Sequence, residues 1–153
     1  MMTETQTKLP CFVFDIDGTL SDCSHRAHYV KYYPRNWASF NSEMVNDSLI
    51  ESTSVILAAL SFNYTIILVT GRPESYRGVT EEWLKKHGIE ADALYMRDDE
   101  DFRQDDEYKS EIADLIEETY SIMGVFEDRK RVVDMWKSRG IVTYDCSNKE
   151  SMF

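Results

Sequence analysis

The chain has 153 residues, 42% of them hydrophobic, and a formal net charge of −11. That length and apolar content suit one compact domain with a real core, are short for two, and exclude intrinsic disorder as the default state. The charge excludes a broad basic surface for long nucleic acid, although a few local cations suffice to hold a single nucleotide or a strand end.

At the N-terminus, Met1 to Lys8 is polar and lacks the apolar run of a signal peptide; a flexible segment is expected over 1–9. No later stretch is long enough to cross a membrane, so no membrane contact is expected. The cysteines Cys11, Cys23 and Cys146 are odd in number and lack paired spacing, which argues against a disulfide framework and for a reducing cytoplasm.

Cys11 to Ile16 reads as a buried strand. Ser21 to Asp47 is then unusually long for a loop and carries Tyr29, Tyr32, Tyr33, Trp37 and Phe40. It is expected to form a small, mostly helical insert over the end of a sheet. Its aromatics either pack that insert onto the body or, for one or two of them, face a cleft and stack on a base or ring. Ser48 to Leu60 has helical apolar spacing, and Tyr64 to Val69 is a second strand. Glu74 to His87 reads as a helix with Pro73 at its first position and Gly88 as its stop. Ala93 to Met96 is a short strand, and Asp98 to Asp101 an acidic, solvated loop. Glu107 to Tyr120 is a helix with Ile112, Leu115 and Ile116 on one side, and Ile122 to Phe126 a fourth strand. Arg129 to Arg139 is a helix with Val132, Val133 and Trp136 on its apolar side, ended by Gly140, before a last strand from Ile141 to Tyr144. Trp83 and Trp136, among apolar neighbours, are expected in the core. Continuous apolar strands alternating with helices predict an open α/β fold: a central parallel sheet between two helical layers, joined by right-handed crossovers.

Ligands of such sheets bind beyond the carboxyl ends of the strands. The first strand leads into Asp15-Ile16-Asp17-Gly18-Thr19-Leu20, the second into Thr70-Gly71-Arg72 and the fourth into Glu127-Asp128-Arg129, while Lys109 opens the helix before the fourth strand. Two carboxylates two residues apart can divide the work of a displacement at phosphorus, Asp15 attacking and Asp17 exchanging protons. Gly18 lets the chain turn sharply away. Asp15, Asp128 and the carbonyl of Asp17 make a hard-oxygen site suited to Mg²⁺, with Glu127 either reaching the metal through water or holding Lys109. The Thr70 hydroxyl and the N–H groups of Gly71 and Arg72, expected at a helix start, can cradle phosphoryl oxygens, with Lys109 as a compact positive charge.

FDIDGTL, VTGR, a lysine and FEDR, in this order, resemble the four motifs of the haloacid dehalogenase (HAD) phosphatase superfamily. Within it, VTGR, Arg97 through DFRQDDEYKSEI, and FEDRKRVVDMWKSRGI resemble the 3′-phosphatase domain of bacteriophage-type polynucleotide kinases. The resemblance implies a HAD-like Rossmannoid three-layer sandwich over 1–153, with 21–47 as a small helical cap insert. It implies Asp15 as nucleophile, Asp17 as acid/base, Thr70 and Lys109 in the second and third motifs, and Asp128 as metal ligand for Mg²⁺. Arg72, Arg97 and Arg129 are implied as contacts to phosphate or substrate, with Asp105 in support.

The expected substrate is the phosphate of a nucleic-acid 3′-end or a nucleotide. A small-metabolite phosphatase or 5′-nucleotidase of the same superfamily is the alternative. No kinase P-loop is present in the chain. A phosphoacceptor receiver uses a similar residue set, but with the acidic pair after the first strand and the acceptor later, the reverse of the order here. Cys23, His25 and His28 would need a fourth ligand to bind zinc.

Overall fold

The computed structural model describes residues 7–147. In chain order it comprises β1 (Leu9–Phe14), β2 (Ser21–Asp22), α1 (His28–Lys31), α2 (Trp37–Ser42), β3 (Ser48–Leu49), α3 (Glu51–Ser61), β4 (Thr65–Pro73), α4 (Arg77–Lys86), β5 (Ala93–Arg97), α5 (Asp105–Thr119), β6 (Tyr120–Glu127), α6 (Lys130–Ser138) and β7 (Thr143–Asp145). Single 3₁₀ turns lie at Ser24–Arg26, Glu43–Asn46 and Glu74–Tyr76.

Strands β1, β4, β5, β6 and β7 form one parallel sheet in the order β5-β4-β1-β6-β7. The chain moves outward from β1 in one direction through β4 and β5, then returns to fill the other side with β6 and β7. The ends of β1, β4 and β6 therefore adjoin where the winding reverses, the place where open sheets bind ligands.

Alternation along each strand divides the core between two faces. Val13 and Ile67 face one side, where they join Ile112 and Ile116 of α5 and Trp136 of α6. Phe14 and Leu68 face the other, with Leu57 of α3 and Trp83 and Leu84 of α4. Both strands are buried on both faces, which is why they read as unbroken apolar runs. Trp83 and Trp136 are core residues, 2% and 1% exposed.

Several boundaries differ from the sequence expectation. Of the segment expected to be flexible, residues 1–6 lie outside the described residues, and Leu9 already opens β1, paired with Tyr120. Pro73 does not start a helix. It ends β4 opposite Arg97, and its ψ of 145° is extended; the helix begins only after the Glu74–Tyr76 turn. Ser48 and Leu49 are likewise strand rather than helix, pairing antiparallel with Asp22 and Ser21. This ribbon brackets residues 23–47, whose regular structure is α1, α2 and the two 3₁₀ turns.

Candidate active site

Register brings the motifs together. Phe14 at the end of β1 pairs with Leu68 on one side and Phe126 on the other, and the Asp15 N–H donates to the Phe126 carbonyl at 3.0 Å. Asp15, Thr70 and Glu127-Asp128 consequently leave the same edge of the sheet within two residues of that row.

Asp15 is buried, 6% exposed. Its Oδ1 accepts from Lys109 Nζ at 2.9 Å, and the same ammonium donates to Glu127 Oε2 at 2.9 Å. Glu127 Oε1 accepts the backbone N–H groups of Asp128 and Arg129 at 3.1 and 3.2 Å. Glu127 thus holds Lys109 and shapes the turn after β6. Asp105 Oδ2 stands 3.5 Å from Lys109. Burial and the neighbouring carboxylates, Glu127 first and Asp128 after it, push Asp15 well above the usual carboxylate range against the pull of Lys109. Burial and Glu127 raise Asp128 to about 7. Burial disfavours the charged form of Lys109, but Asp105, Asp15 and Glu127 outweigh it and raise the ammonium well above its ordinary value.

One ligand atom from each of Asp15, Glu127 and Asp128 lies within 4.8 Å of the other two. Among the described residues this is the one such cluster of His, Cys, Asp or Glu. Three carboxylates against one buried ammonium leave an excess of negative charge on hard oxygens, a donor set that fits a divalent cation such as Mg²⁺. Cys23, His25 and His28 do not form such a group. Cys23 is fully buried, His25 Nε2 lies 2.7 Å from Asp47 Oδ1, and the His28 ring packs on Tyr29.

Gly18 turns the chain away from β1 with φ +82°, and a Cβ placed there would stand 2.0 Å from Asp128 Oδ2. Gly18→Ala is therefore expected to cost about 1–2 kcal/mol from the backbone alone, and to displace Asp128 as well. Equilibrium denaturation and phosphate release should both fall relative to the parent.

Asp17 lies in a clamp. Its Oδ1 accepts from Arg26 Nη2 and Arg72 Nη2, each at 2.7 Å, and from Ser21 Oγ at 3.1 Å. Oδ2 is less engaged, accepting from Arg72 Nε at 3.2 Å. Burial alone would raise this acid, but the Arg72 and Arg26 guanidiniums overcome it and hold Asp17 well below the usual carboxylate range. Both arginines are buried and also reach Asp47, which binds Arg26 Nε and Nη2 at 2.8 and 2.7 Å. Arg26 and Asp47 are site residues that sequence reasoning did not assign. From sequence, Arg26 could be read, with His25, only as able to face the cleft from the insert, and no motif marks Asp47.

The second motif differs locally from the expectation. Gly71 and Arg72 sit in β4, not at a helix start, and the Arg72 N–H donates to Thr70 Oγ1 at 3.2 Å. Thr70 is fully buried behind this edge. Gly71 makes room for Asp105, whose Oδ1 would be 2.7 Å from a Cβ there. Arg97 is spent largely on the protein: it donates to the carbonyls of Gly71, Asp101 and Arg103 and to Asp105 Oδ1, and lies over the Tyr108 ring. Arg129 Nη1 is 3.7 Å from Asp105 Oδ2.

These groups border a cavity of about 740 Å³, the size of a pocket for one small ligand. Asp15, Asp17, Asp105 and Asp128 lie at its acidic end, with Arg97 and Arg129 beside them. Lys31, Arg35, Trp37 and Phe40 line it from the insert, and Phe102 and Arg103 from the loop before α5. Tyr29, Tyr32 and Tyr33 are not part of its lining.

A parallel sheet of this order with an aspartate pair at its central strand end defines the HAD-type phosphatases. The fold matches a haloacid dehalogenase-like hydrolase from Streptococcus pneumoniae with TM-score 0.62 at 17% identity, over 90% of this chain and 84% of that one. Residues 9–150 match the polynucleotide kinase PNKP phosphatase domain family, and the chain belongs to that family. It is a phosphatase domain of the HAD superfamily. A chain of the Pnkp1/Rnl/Hen1 complex matches with TM-score 0.80 at 29% identity, covering 94% of this chain and 47% of its own length. A bifunctional polynucleotide kinase/RNA ligase described from Autographa californica nuclear polyhedrosis virus is 28% identical over 133 residues, 84% of this chain and 18% of that protein. The chain thus spans less than half of either relative. Among the described residues, no helix is long and apolar enough to cross a membrane.

Proposed function

We propose that the chain is a Mg²⁺-dependent phosphatase that removes phosphate from nucleic-acid 3′-ends or nucleotides through a phosphorylated Asp15. The observation that carries this reading is a buried carboxylate lining the cavity that accepts from Lys109 and lies within a cluster of three acids. Family membership and the likeness to the Pnkp1 chain support a nucleic-acid end as substrate.

Asp15 attacks phosphorus in line, the ester oxygen leaves with a proton from Asp17, and water then cleaves the aspartyl phosphate while Asp17 takes the proton back. In the free protein the two arginines keep Asp17 ionised, as the second half requires. An arriving phosphate places negative charge beside it and raises its proton affinity, as the first half requires. Lys109 keeps Asp15 oriented and would supply positive charge for the equatorial oxygens, with the Thr70 hydroxyl, buried in β4, as a further donor toward them. The N–H of Gly71, with Arg72, Arg97, Arg129 and Asp105, completes the polar wall toward the substrate. Asp15, Asp128 and the carbonyl of Asp17 would hold Mg²⁺, with Glu127 behind them as the partner of Lys109. When bound, the ion supplies charge neutralisation between nucleophile and phosphate.

Phosphate release from a 3′-phosphorylated oligonucleotide and from nucleoside 3′- and 5′-monophosphates tests this. Turnover of the 3′-phosphorylated strand with Mg²⁺, abolished by excess EDTA and restored by added Mg²⁺, is expected. Hydrolysis of small metabolite phosphates alone would overturn the nucleotide assignment, and full activity in EDTA would overturn the metal.

A further inference from the structure

Two large aromatic rings on the cavity wall remain outside the phosphate chemistry. We infer that Trp37 and Phe102 form a clamp on the base of the nucleoside whose phosphate Asp15 attacks, and so decide which phosphomonoesters the chain prefers; this rests on the nucleotide reading above.

The rings come from distant parts of the chain and line the same cavity as Asp15. Trp37 opens α2 in the insert, and Phe102 lies in the loop between β5 and α5. They are 51% and 86% exposed, whereas Phe40, on the same wall as Trp37, is 5% exposed. Exposed rings bordering a cavity leave flat apolar faces available to a ligand.

Their exposure does not come from loosely held backbone. Asn36 Oδ1 caps α2 by accepting the Ser39 N–H at 3.0 Å, and the Asn36 N–H donates to the Tyr29 carbonyl at 2.8 Å. The Trp37 ring meets Phe40 edge-on, with centroids 5.6 Å apart. In the loop before α5, Arg97 Nη1 donates to the carbonyls on both sides of Phe102, those of Asp101 at 3.4 Å and Arg103 at 2.7 Å. The guanidinium beside the catalytic end therefore also fixes the loop that presents Phe102.

Charge selects the ligand. Lys31 and Arg35 share the wall of Trp37; beside Phe102, Arg103 is paired with Asp101 and Glu111, and Asp98 and Asp99 also line the cavity, so the cations available to a ligand are those of the insert. Flat apolar faces flanked by cations suit a base with a phosphodiester beside it, and every base has such a face. A phosphate ester of glycerol or a sugar has none and gains nothing from the rings.

The test uses the full chain with Mg²⁺ and two strands: an oligodeoxynucleotide 3′-phosphate ending in a base-bearing residue, and the same strand ending in an abasic sugar. We expect wild type to favour the base-bearing end by about ten-fold or more in kcat/KM. Trp37→Ala and Phe102→Ala should each bring that ratio down several-fold, and Trp37→Phe should preserve most of it. A wild-type ratio near one, or variants that slow both strands in parallel, would overturn the clamp. Loss of activity on both strands in wild type, with a small metabolite phosphate still hydrolysed, would remove the nucleotide reading itself and the clamp with it.

Discussion

Asp15→Asn is expected to lower phosphate release by roughly 10⁴-fold or more, the scale on which losing a nucleophile acts, and to leave the fold intact. The amide matches the carboxylate in shape, so packing at the end of β1 is preserved. It cannot form an acyl phosphate, and it removes a negative charge from a place where burial, Glu127 and Asp128 already disfavour one. Lys109 keeps Glu127 at 2.9 Å and Asp105 at 3.5 Å. In EDTA near neutral pH the variant should therefore melt no lower than wild type. Loss of activity together with a large drop in melting temperature would mean that Asp15 acts as a structural acid instead.

Lys109→Met should be damaging in both respects. The ammonium is buried and lies against Asp15, Asp105 and Glu127. Removing one partner from a buried ionic cluster costs about 3–5 kcal/mol, because the charges left behind have neither water nor counter-ion. The loss should depend on pH with a definite sign. Asp128 has an ordinary value of 3.8 and is raised to about 7 in the folded chain. The folded state therefore holds this proton more tightly than the unfolded state. Its contribution to the stability of the metal-free protein is complete below about 3.8 and disappears as pH rises through about 7. Without Lys109 the same carboxylates lose their counter-charge, so denaturation in EDTA should show a defect that grows from acid toward neutral pH. A defect of equal size at every pH would point to lost packing of the lysine stem rather than lost charge.

Much of this site could be read from residue order. Short continuous apolar runs alternating with helical patterns suit strands buried on both faces, and motifs that follow such runs meet at one edge once the sheet assembles around β1. The meeting of Asp15, Thr70 and Asp128 was legible for that reason; Lys109 lies on α5 and could be assigned only from its position within the motif set. The clamp on Asp17 was not legible. Arg26 and Asp47 are 21 positions apart in the insert and meet at 2.7 Å through folding of α1, α2 and two 3₁₀ turns. Neither has a periodicity or a neighbour that reveals its partner. Pro73 was misplaced because its fixed φ suits a first helical turn and an extended strand end equally, and pairing with Arg97 decides between them. Glu127 had two open roles; it holds Lys109 and accepts the Asp128 and Arg129 N–H groups, and one of its oxygens also lies in the acidic cluster. Arg97 and Arg72 drew attention as cations near phosphate, yet each also has a structural duty, one to the loop holding Phe102 and the other to Asp17.

The most direct test of the central claim is covalent trapping on Asp15. The phosphoryl group is bound to Asp15 for part of each turnover; Asp17→Asn would slow both its arrival, for want of a proton for the leaving oxygen, and its hydrolysis, so the wild-type chain is the one to quench. After rapid acid quench of a single wild-type turnover of a 3′-[³²P]phosphorylated oligonucleotide, label is expected on the peptide bearing Asp15 and absent from Asp15→Asn. Free phosphate released with no label on that peptide at any time, or label on another residue, would contradict the account.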